Sequence, residues 1–255
     1  MIHKFNAYDH NFEIDSNDNI VGSFDFAING LKEETWEVDT FSAIYNFQDK
    51  TKKYLDIGAW VGFQSIYAAN LFSDVISIEA DKVAIDCFEK NTEGLKNITL
   101  IKAACVPENK RNNDVYFSTA KDHDAAKFGD SGSQLRNEKL KDDDYIVKKV
   151  TIKDIIKKHS NISFIKCDIE GGEEQLIPDL FWACSSIRSN LFLSFHYKWW
   201  ENKDLLNEYC ELFKMSKEFY IYTVSDGWVK FENNVELLKK IILHNPMISV
   251  LFQFS

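Results

Sequence analysis

The segment Asp56-Ile57-Gly58-Ala59-Trp60-Val61-Gly62 has the pattern D-x-G-x-x-x-G, set between an apolar run that reads as a strand and one that reads as a helix. Glu79 follows seventeen residues after Gly62. A first βα turn of this kind lies at the carboxyl edge of an open α/β sheet, where ligands bind near the reversal of strand order. Glycine admits backbone dihedrals and a close ligand approach that a Cβ would obstruct. An acidic side chain ending the next strand can accept hydrogen bonds from both hydroxyls of a ribose, which implies a nucleoside-containing cofactor. A dinucleotide fingerprint requires G-x-G-x-x-G, so that the pyrophosphate rests on the second glycine and the helix N-terminus. Trp60 and Phe63 stand at the second and third glycine positions. Their bulk, with the Asp56 carboxylate before the turn, suits a cofactor without phosphates and with a cationic centre. S-adenosylmethionine (SAM) has an adenosine, a sulfonium and an amino-acid tail. The plain alternative is a tight turn joining strand to helix.

Asp168 and Glu170 form a second constellation, two residues apart at the end of an apolar strand, so extended geometry would point both to one side of a cleft. Carboxylates there can bind a cofactor ammonium, hold a substrate hydroxyl, accept its proton or ligate a hard divalent cation. They would also suit the N-terminus of the following helix through its dipole. His196 ends the next strand, beside them at the same sheet edge, and an imidazole oriented by a carboxylate is a reasonable base at neutral pH. His123 lies in a long polar loop, and His3, His10, His159 and His244 read as structural. Tyr197-Lys198-Trp199-Trp200 places flat rings where the apolar face of a sugar could pack, although 14% of the chain is aromatic and core packing is the default. Glu37 and Thr40, ahead of the first core strand, are candidates for the cofactor's amino-acid tail.

Alternating segments must position these groups. Strands are expected at 53–57, 74–79 and 98–104, with helices at 63–71 and 82–95 between them, a rhythm of βαβ units and a parallel sheet. Residues 107–147 interrupt it with a strand-like 114–118 and a long polar stretch. A strand at 145–150, a helix at 152–159, a strand at 162–168, a helix to about Phe181 and a strand at 191–196 follow. A helix around 204–217 and strands at 219–224 and 248–254 complete about seven strands. Ahead of the core, 12–14 and 20–26 read as a β-hairpin, and 31–47 as helical with a break near Asp39-Thr40.

Composition narrows the function classes. The chain has 255 residues, 45% of them apolar, and a net charge of −10, which repels a phosphate backbone and disfavours nucleic acid. The five cysteines are dispersed, with no C-x-x-C, so neither a disulfide framework nor a cysteine-rich zinc site is suggested and a reducing cytoplasm is expected. The start has no apolar signal core, and no apolar run approaches a membrane span. The nucleophile elbow G-x-S-x-G, the phosphate loop and H-E-x-x-H do not occur.

The chain resembles class I SAM-dependent methyltransferases, and within them the FkbM family. The likeness is carried by YLDIGAWVGFQSIYAA (54–69), VISIEADKVAIDCFEKN (75–91), ITLIKAACV (98–106), GDSGSQL (129–135), VTIKDII (150–156), FIKCDIEGGEEQLI (164–177) and LFLSFH (191–196). The K-x-D-x-E-G element, Lys166 to Gly171, is the more specific signal. Trp60 departs from the small polar residue usual in the family, and Gly172 from its alanine. The resemblance implies a Rossmann-like α/β methyltransferase domain over 1–255, with an N-terminal β/α appendage to residue 50 and a catalytic core from 51. It implies O-methylation of a sugar, glycan precursor or related small molecule. Asp56, Gly58, Ala59 and Gly62 are expected on the methionine side, Glu79 and Ala80 at the ribose, and Ala103 and Ala104 beside adenine. Asp168 is expected to face the cofactor as well. His196 is the first choice of base and Asp168 the second, with Glu170 beside them. A divalent metal is compatible with Asp168, but no ligand set follows from the sequence. Aminopropyl transfer, or a non-catalytic methyltransferase-like binding protein, are the competing functions.

Overall fold

The structure is a computed structural model that describes residues 2–15, 23–119, 129, 134–232 and 234–254. Strands β1 (Ile2–Ala7) and β2 (His10–Asp15) pair antiparallel through a two-residue turn. Tyr8 and Asp9 both have positive φ there, as the hairpin turn that matches strand twist requires. The expected second strand at 20–26 is not formed in its described part. Residues 23–26 open helix α1 (Ser23–Lys32), because Phe24, Ala27 and Ile28 at helical spacing make one buried face. Helix α2 (Val38–Asn46) starts before Asp39-Thr40, so the break falls at residues 33–37 instead. Trp36 there folds back on Gly30, where a Cβ would come within 2.5 Å of its own.

The core elements are β3 (Asp49–Ile57), α3 (Phe63–Ala69), β4 (Phe72–Glu79), α4 (Lys82–Asn91) and β5 (Ile98–Lys102). The expected third strand divides at Ala103: β6 (Ala104–Cys105) leaves the main sheet and later pairs with a different segment. The interruption carries β7 (Tyr116–Ser118), β8 (Gln134–Arg136) and β9 (Tyr145–Ile146), an antiparallel three-stranded sheet of order β8-β7-β9. His123 and most of the Gly129–Ser133 segment lie outside the described residues. Strand β10 (Lys149–Val150) pairs with β6, so the strand expected at 145–150 is two short ones serving different sheets.

Next come α5 (Ile152–Lys158), β11 (Ile162–Cys167), α6 (Glu173–Ile187), β12 (Asn190–His196), α7 (Leu205–Phe213), β13 (Glu218–Thr223), β14 (Gly227–Glu232), α8 (Val235–His244) and β15 (Met247–Gln253). Helix α6 runs past Phe181 despite Pro178. The carbonyl that proline cannot serve, on Glu174, accepts from the Tyr209 hydroxyl at 2.6 Å.

The main sheet has eight strands in the order β14-β13-β15-β12-β11-β3-β4-β5. Strands β3, β4, β5, β11 and β12 are mutually parallel, and β15 runs against them. About seven strands are expected from the sequence; the eighth, β14, is the antiparallel partner of β13 at the outer edge, where its burial is only partial. Period-two alternation sorts the core into two faces. Leu55, Ile76, Ile165 and Leu193 meet α5 to α8, while Tyr54, Val75, Phe164 and Phe192 meet the hairpin and α1 to α4. The chain leaves β3 toward β4 on one side and returns as β11 on the other, so strand order reverses at β3 and β11. Their carboxyl ends define the switch point.

Candidate active site

Asp56 and Lys166 are register partners across β3 and β11, on the face shared with Tyr54 and Phe164. Both are buried, and their charged atoms lie 3.2 Å apart. The Lys166 ammonium also donates to the Gly58 carbonyl at 2.8 Å. Ser65 donates to Asp56 at 2.6 Å and shares a 2.8 Å hydrogen bond with Ser77. Burial opposes the lysine charge, but Asp56, Asp168 and Glu37 outweigh it and hold the ammonium protonated well above the ordinary lysine range. Asp56 therefore serves as an internal counter-ion beneath the turn.

Gly58 follows directly, with φ of +79°, and a Cβ there would stand 1.9 Å from the Asp168 carbonyl oxygen. The two signature segments thus touch through a backbone that only glycine permits, and the Asp168 N–H donates to Ile57 at 3.0 Å. Trp60 has a positive φ and lends its N–H to Glu79 Oε2 at 2.7 Å, while the N–H groups of Ala80 and Asp81 reach Oε1 at 2.8 Å. Burial nonetheless raises the Glu79 carboxyl to about 7. The Trp60 indole donates to the Gly129 carbonyl at 2.8 Å, tying the glycine turn after β3 to the start of the GDSGSQL segment.

A cleft of about 240 Å³ opens over these strand ends. Gly58, Glu79, Ala80, Ala103, Ala104, Asp168 and Glu170 line it. Asp56, Ala59 and Gly62 are buried in the layer below and do not. One end is acidic, with Glu37, Asp168 and Glu170. The other is apolar, with Ile78, Ala103, Ala104, Phe117 and Leu135. Glu37 accepts from the Thr40 hydroxyl, and burial followed by the nearby Asp168 and Asp39 charges raises it to about 8. His3, His10, His159 and His244 lie away from the cleft.

His196 sits behind the acidic end, 7% exposed, with Nε2 at 3.6 Å from Asp168 Oδ1 and 3.4 Å from Glu170 Oε2. On its other side Nδ1 is 3.5 Å from Glu173. Trp199 stacks on the ring, centroids 5.2 Å apart and planes 6° from parallel. Burial opposes a charge on His196, yet the adjacent Glu173, Asp168 and Glu170 carboxylates raise it to about 10. Burial raises Glu170 to about 8, His196 pulling it down and Asp168 pushing it up. Of the other aromatic candidates, Trp200 is buried in the core and Tyr197 lies under the Lys203 ammonium.

Glu173 has no distinguishing signal in the sequence. It is fully buried and accepts from the N–H of His196 at 2.7 Å, the Trp200 indole at 3.0 Å and the N–H of Gly171 at 2.8 Å. Its sequence signal, an acid in the first turn of a helix, is the same as that of a dipole-stabilising surface residue. Trp36, Gln64 and Asp81 also line the cleft; Gln64 and Asp81 fall inside the quoted family segments, but neither type nor spacing singled out any of the three as a site residue.

An eight-stranded sheet of this order, with a cleft at its switch point, is the Rossmann-like α/β fold of class I methyltransferases. The profile of the methyltransferase FkbM domain matches residues 45–218, and the chain belongs to the FkbM methyltransferase family. Among solved structures it is similar to methyltransferase FkbM from Methylobacillus flagellatus KT, at 15% identity and a TM-score of 0.45, over 91% of this chain and 56% of that one. The chain thus spans little more than half the length of that protein. It is similar to a precorrin-6y C5,15-methyltransferase from Geobacter metallireducens GS-15, at 14% identity and a TM-score of 0.44, over 94% of each chain. A methyltransferase from Streptococcus mutans solved with SAH matches at 12% identity and a TM-score of 0.44, over 83% of this chain and 94% of that one. A search of the curated proteins returns no match. Among the described residues, no helix is long and apolar enough to cross a membrane.

Proposed function

We propose that this chain transfers a methyl group from SAM to a hydroxyl of a sugar, glycan precursor or related small molecule. The observation that carries the reading is the charge balance of the cleft. Glu37, Glu79, Asp168 and Glu170 face it, and its lysine, Lys166, is already paired with Asp56. A buried Glu37 with a raised pKa fits a cationic ligand, because an incoming ammonium or sulfonium would add a counter-charge beside a carboxyl now crowded by Asp168 and Asp39.

SAM, when bound, supplies a methyl group already activated by the sulfonium. The chain's own contribution is mainly positioning. Glu37 and Asp168 face the cationic portion. Of about four acceptor sites on a carboxylate, Glu79 has given three to backbone N–H groups. One site on Oε2 is left for a ribose hydroxyl, which makes the grip single where the sequence suggested two bonds. Ala103 and Ala104 leave the apolar end open to a flat base. At the acceptor side, His196 holds its proton at neutral pH and acts as a donor to the substrate. The hydroxyl proton therefore passes to Asp168, the second choice of base from the sequence.

Titration calorimetry with SAM and with decarboxylated SAM tests the cofactor, and a mass gain of one methylene on candidate hydroxylated acceptors tests the reaction. Glu79→Ala should weaken SAM by about 10- to 100-fold, since a hydrogen bond to a charged group contributes about 1.5–3 kcal/mol. Unchanged affinity would remove Glu79 from the ribose. Tighter binding of the decarboxylated compound would shift the chemistry to aminopropyl transfer.

A further inference from the structure

We propose that Asp168, Glu170 and His196 form a binding site for a divalent first-row metal ion, with the acceptor hydroxyl as a further ligand. The inference rests on the methyltransferase reading above and adds to it the means by which the acceptor is held.

Three donor atoms cluster at this end of the cleft: Asp168 Oδ1 and Glu170 Oε2 lie 3.6 and 3.4 Å from His196 Nε2, and the ligating atoms of the trio all fall within 4.8 Å of one another. Metal–ligand bonds of about 2.1 Å place neighbouring ligands about 3.0–3.4 Å apart at octahedral or tetrahedral angles. Both separations to the imidazole therefore stand close to ligand spacing and are too open for good hydrogen bonds. Glu170 Oε2 is buried without a hydrogen-bond partner, and the imidazole, more than nine-tenths buried, is aimed between the two carboxylates.

The surroundings fix the imidazole as a metal site would. Glu173 lies behind Nδ1 at 3.5 Å, leaving Nε2 to the front, and Trp199 stacks flat on the ring. A carboxylate behind a ligating histidine sets its tautomer and orientation. Glu173 is itself held by the Gly171 and His196 N–H groups, so it cannot swing into the cleft to compete as a ligand. Glu170 has a left-handed backbone, φ 54°, and its Oε2 lies 3.4 Å from His196 Nε2. Two carboxylates with one imidazole match the preferences of Mn²⁺ and its first-row neighbours. The set supplies three protein ligands and leaves the cleft side open, as catalytic metal sites do.

The ion would take the place of the imidazolium proton and coordinate the acceptor oxygen. The O–H bond then breaks with its electron pair retained on the oxygen, and the proton passes to the oxygen of Asp168 that does not ligate.

The test uses the full chain, stripped with a chelator, and Mn²⁺ as probe. Electron paramagnetic resonance should show one bound Mn²⁺ per chain, with nitrogen coupling in the pulsed spectrum. His196→Ala should abolish that coupling and weaken Mn²⁺ at least about tenfold, and Glu170→Gln should weaken it similarly while keeping the coupling. Circular dichroism of each variant verifies folding. SAM affinity is measured on the metal-free chain. Normal SAM binding with no Mn²⁺ binding, or Mn²⁺ binding unchanged in both variants, overturns the metal site and leaves the cofactor reading intact. Mn²⁺ binding with nitrogen coupling but no SAM binding keeps the site and overturns the cofactor reading.

Discussion

Lys166→Met removes one half of a buried ion pair and leaves Asp56, with no exposed surface, against Ser65 alone. Breaking such a pair from one side costs about 3–5 kcal/mol, because the remaining charge is desolvated without compensation. An unfolding entropy of about 2.1 cal/mol/K per residue gives about 0.54 kcal/mol/K for the whole chain. The melting temperature should therefore fall by about 6–9 °C. The double variant Asp56→Asn with Lys166→Met removes the stranded charge as well and should recover at least about half of the loss, since uncharged replacements of a buried pair are often near neutral. Lys166 also holds the Gly58 carbonyl, so SAM affinity should stay reduced in the double variant even where stability returns. Thermal unfolding by circular dichroism, with titration calorimetry on the same samples, reads both effects. A single variant that melts within about 2 °C of the parent, or a double variant no more stable than the single one, would refute the reasoning.

Glu173→Gln keeps an acceptor for His196 and Trp200 but turns an amide N–H₂ toward the N–H of Gly171, an unpaired donor contact costing about 1–3 kcal/mol. Melting should drop by about 2–6 °C, and the His196 ring should titrate lower by NMR because one of the carboxylate charges that hold it protonated is gone. An unchanged titration would deny Glu173 its positioning role. For pH dependence, Glu37 and Glu170 are raised from 4.5 to about 8, and His196 from 6.5 to about 10. In each case the folded state binds more protons than the unfolded one across the window. The carboxyl contribution is complete below the unfolded value of 4.5 and lost as pH rises through about 8; the histidine contribution is complete below 6.5 and lost through about 10. The unliganded chain should therefore melt at progressively lower temperature from pH 5 upward, and Glu37→Gln should flatten the slope below pH 8. A parallel slope in that variant would remove Glu37 from the account.

Much of the fold was legible because each core strand and helix announces itself within a window of ten residues. Asp74 to Glu79 and Ile162 to Cys167 are β-branched and apolar runs, and Asp81 caps α4 through its own side chain. The misreadings share one cause. Residues 20–26 alternate as a strand would, but the described part packs as a helix against Trp60 and Phe63. Ala104 and Cys105 continue an apolar strand in sequence, yet their ladder partner is the distant β10.

The sequence by itself determined the order of the βαβ units, the glycine turn after β3 and the acid ending β4, since these follow from local periodicity and backbone freedom. Only the tertiary structure decided what each charged group meets. Asp56 and Lys166 are 110 positions apart and neutralise one another across a ladder, and Glu173, at the start of α6, reaches the end of β12 at His196. Charge in a protein is read through its partners and its distance from water, and both are properties of the packed chain.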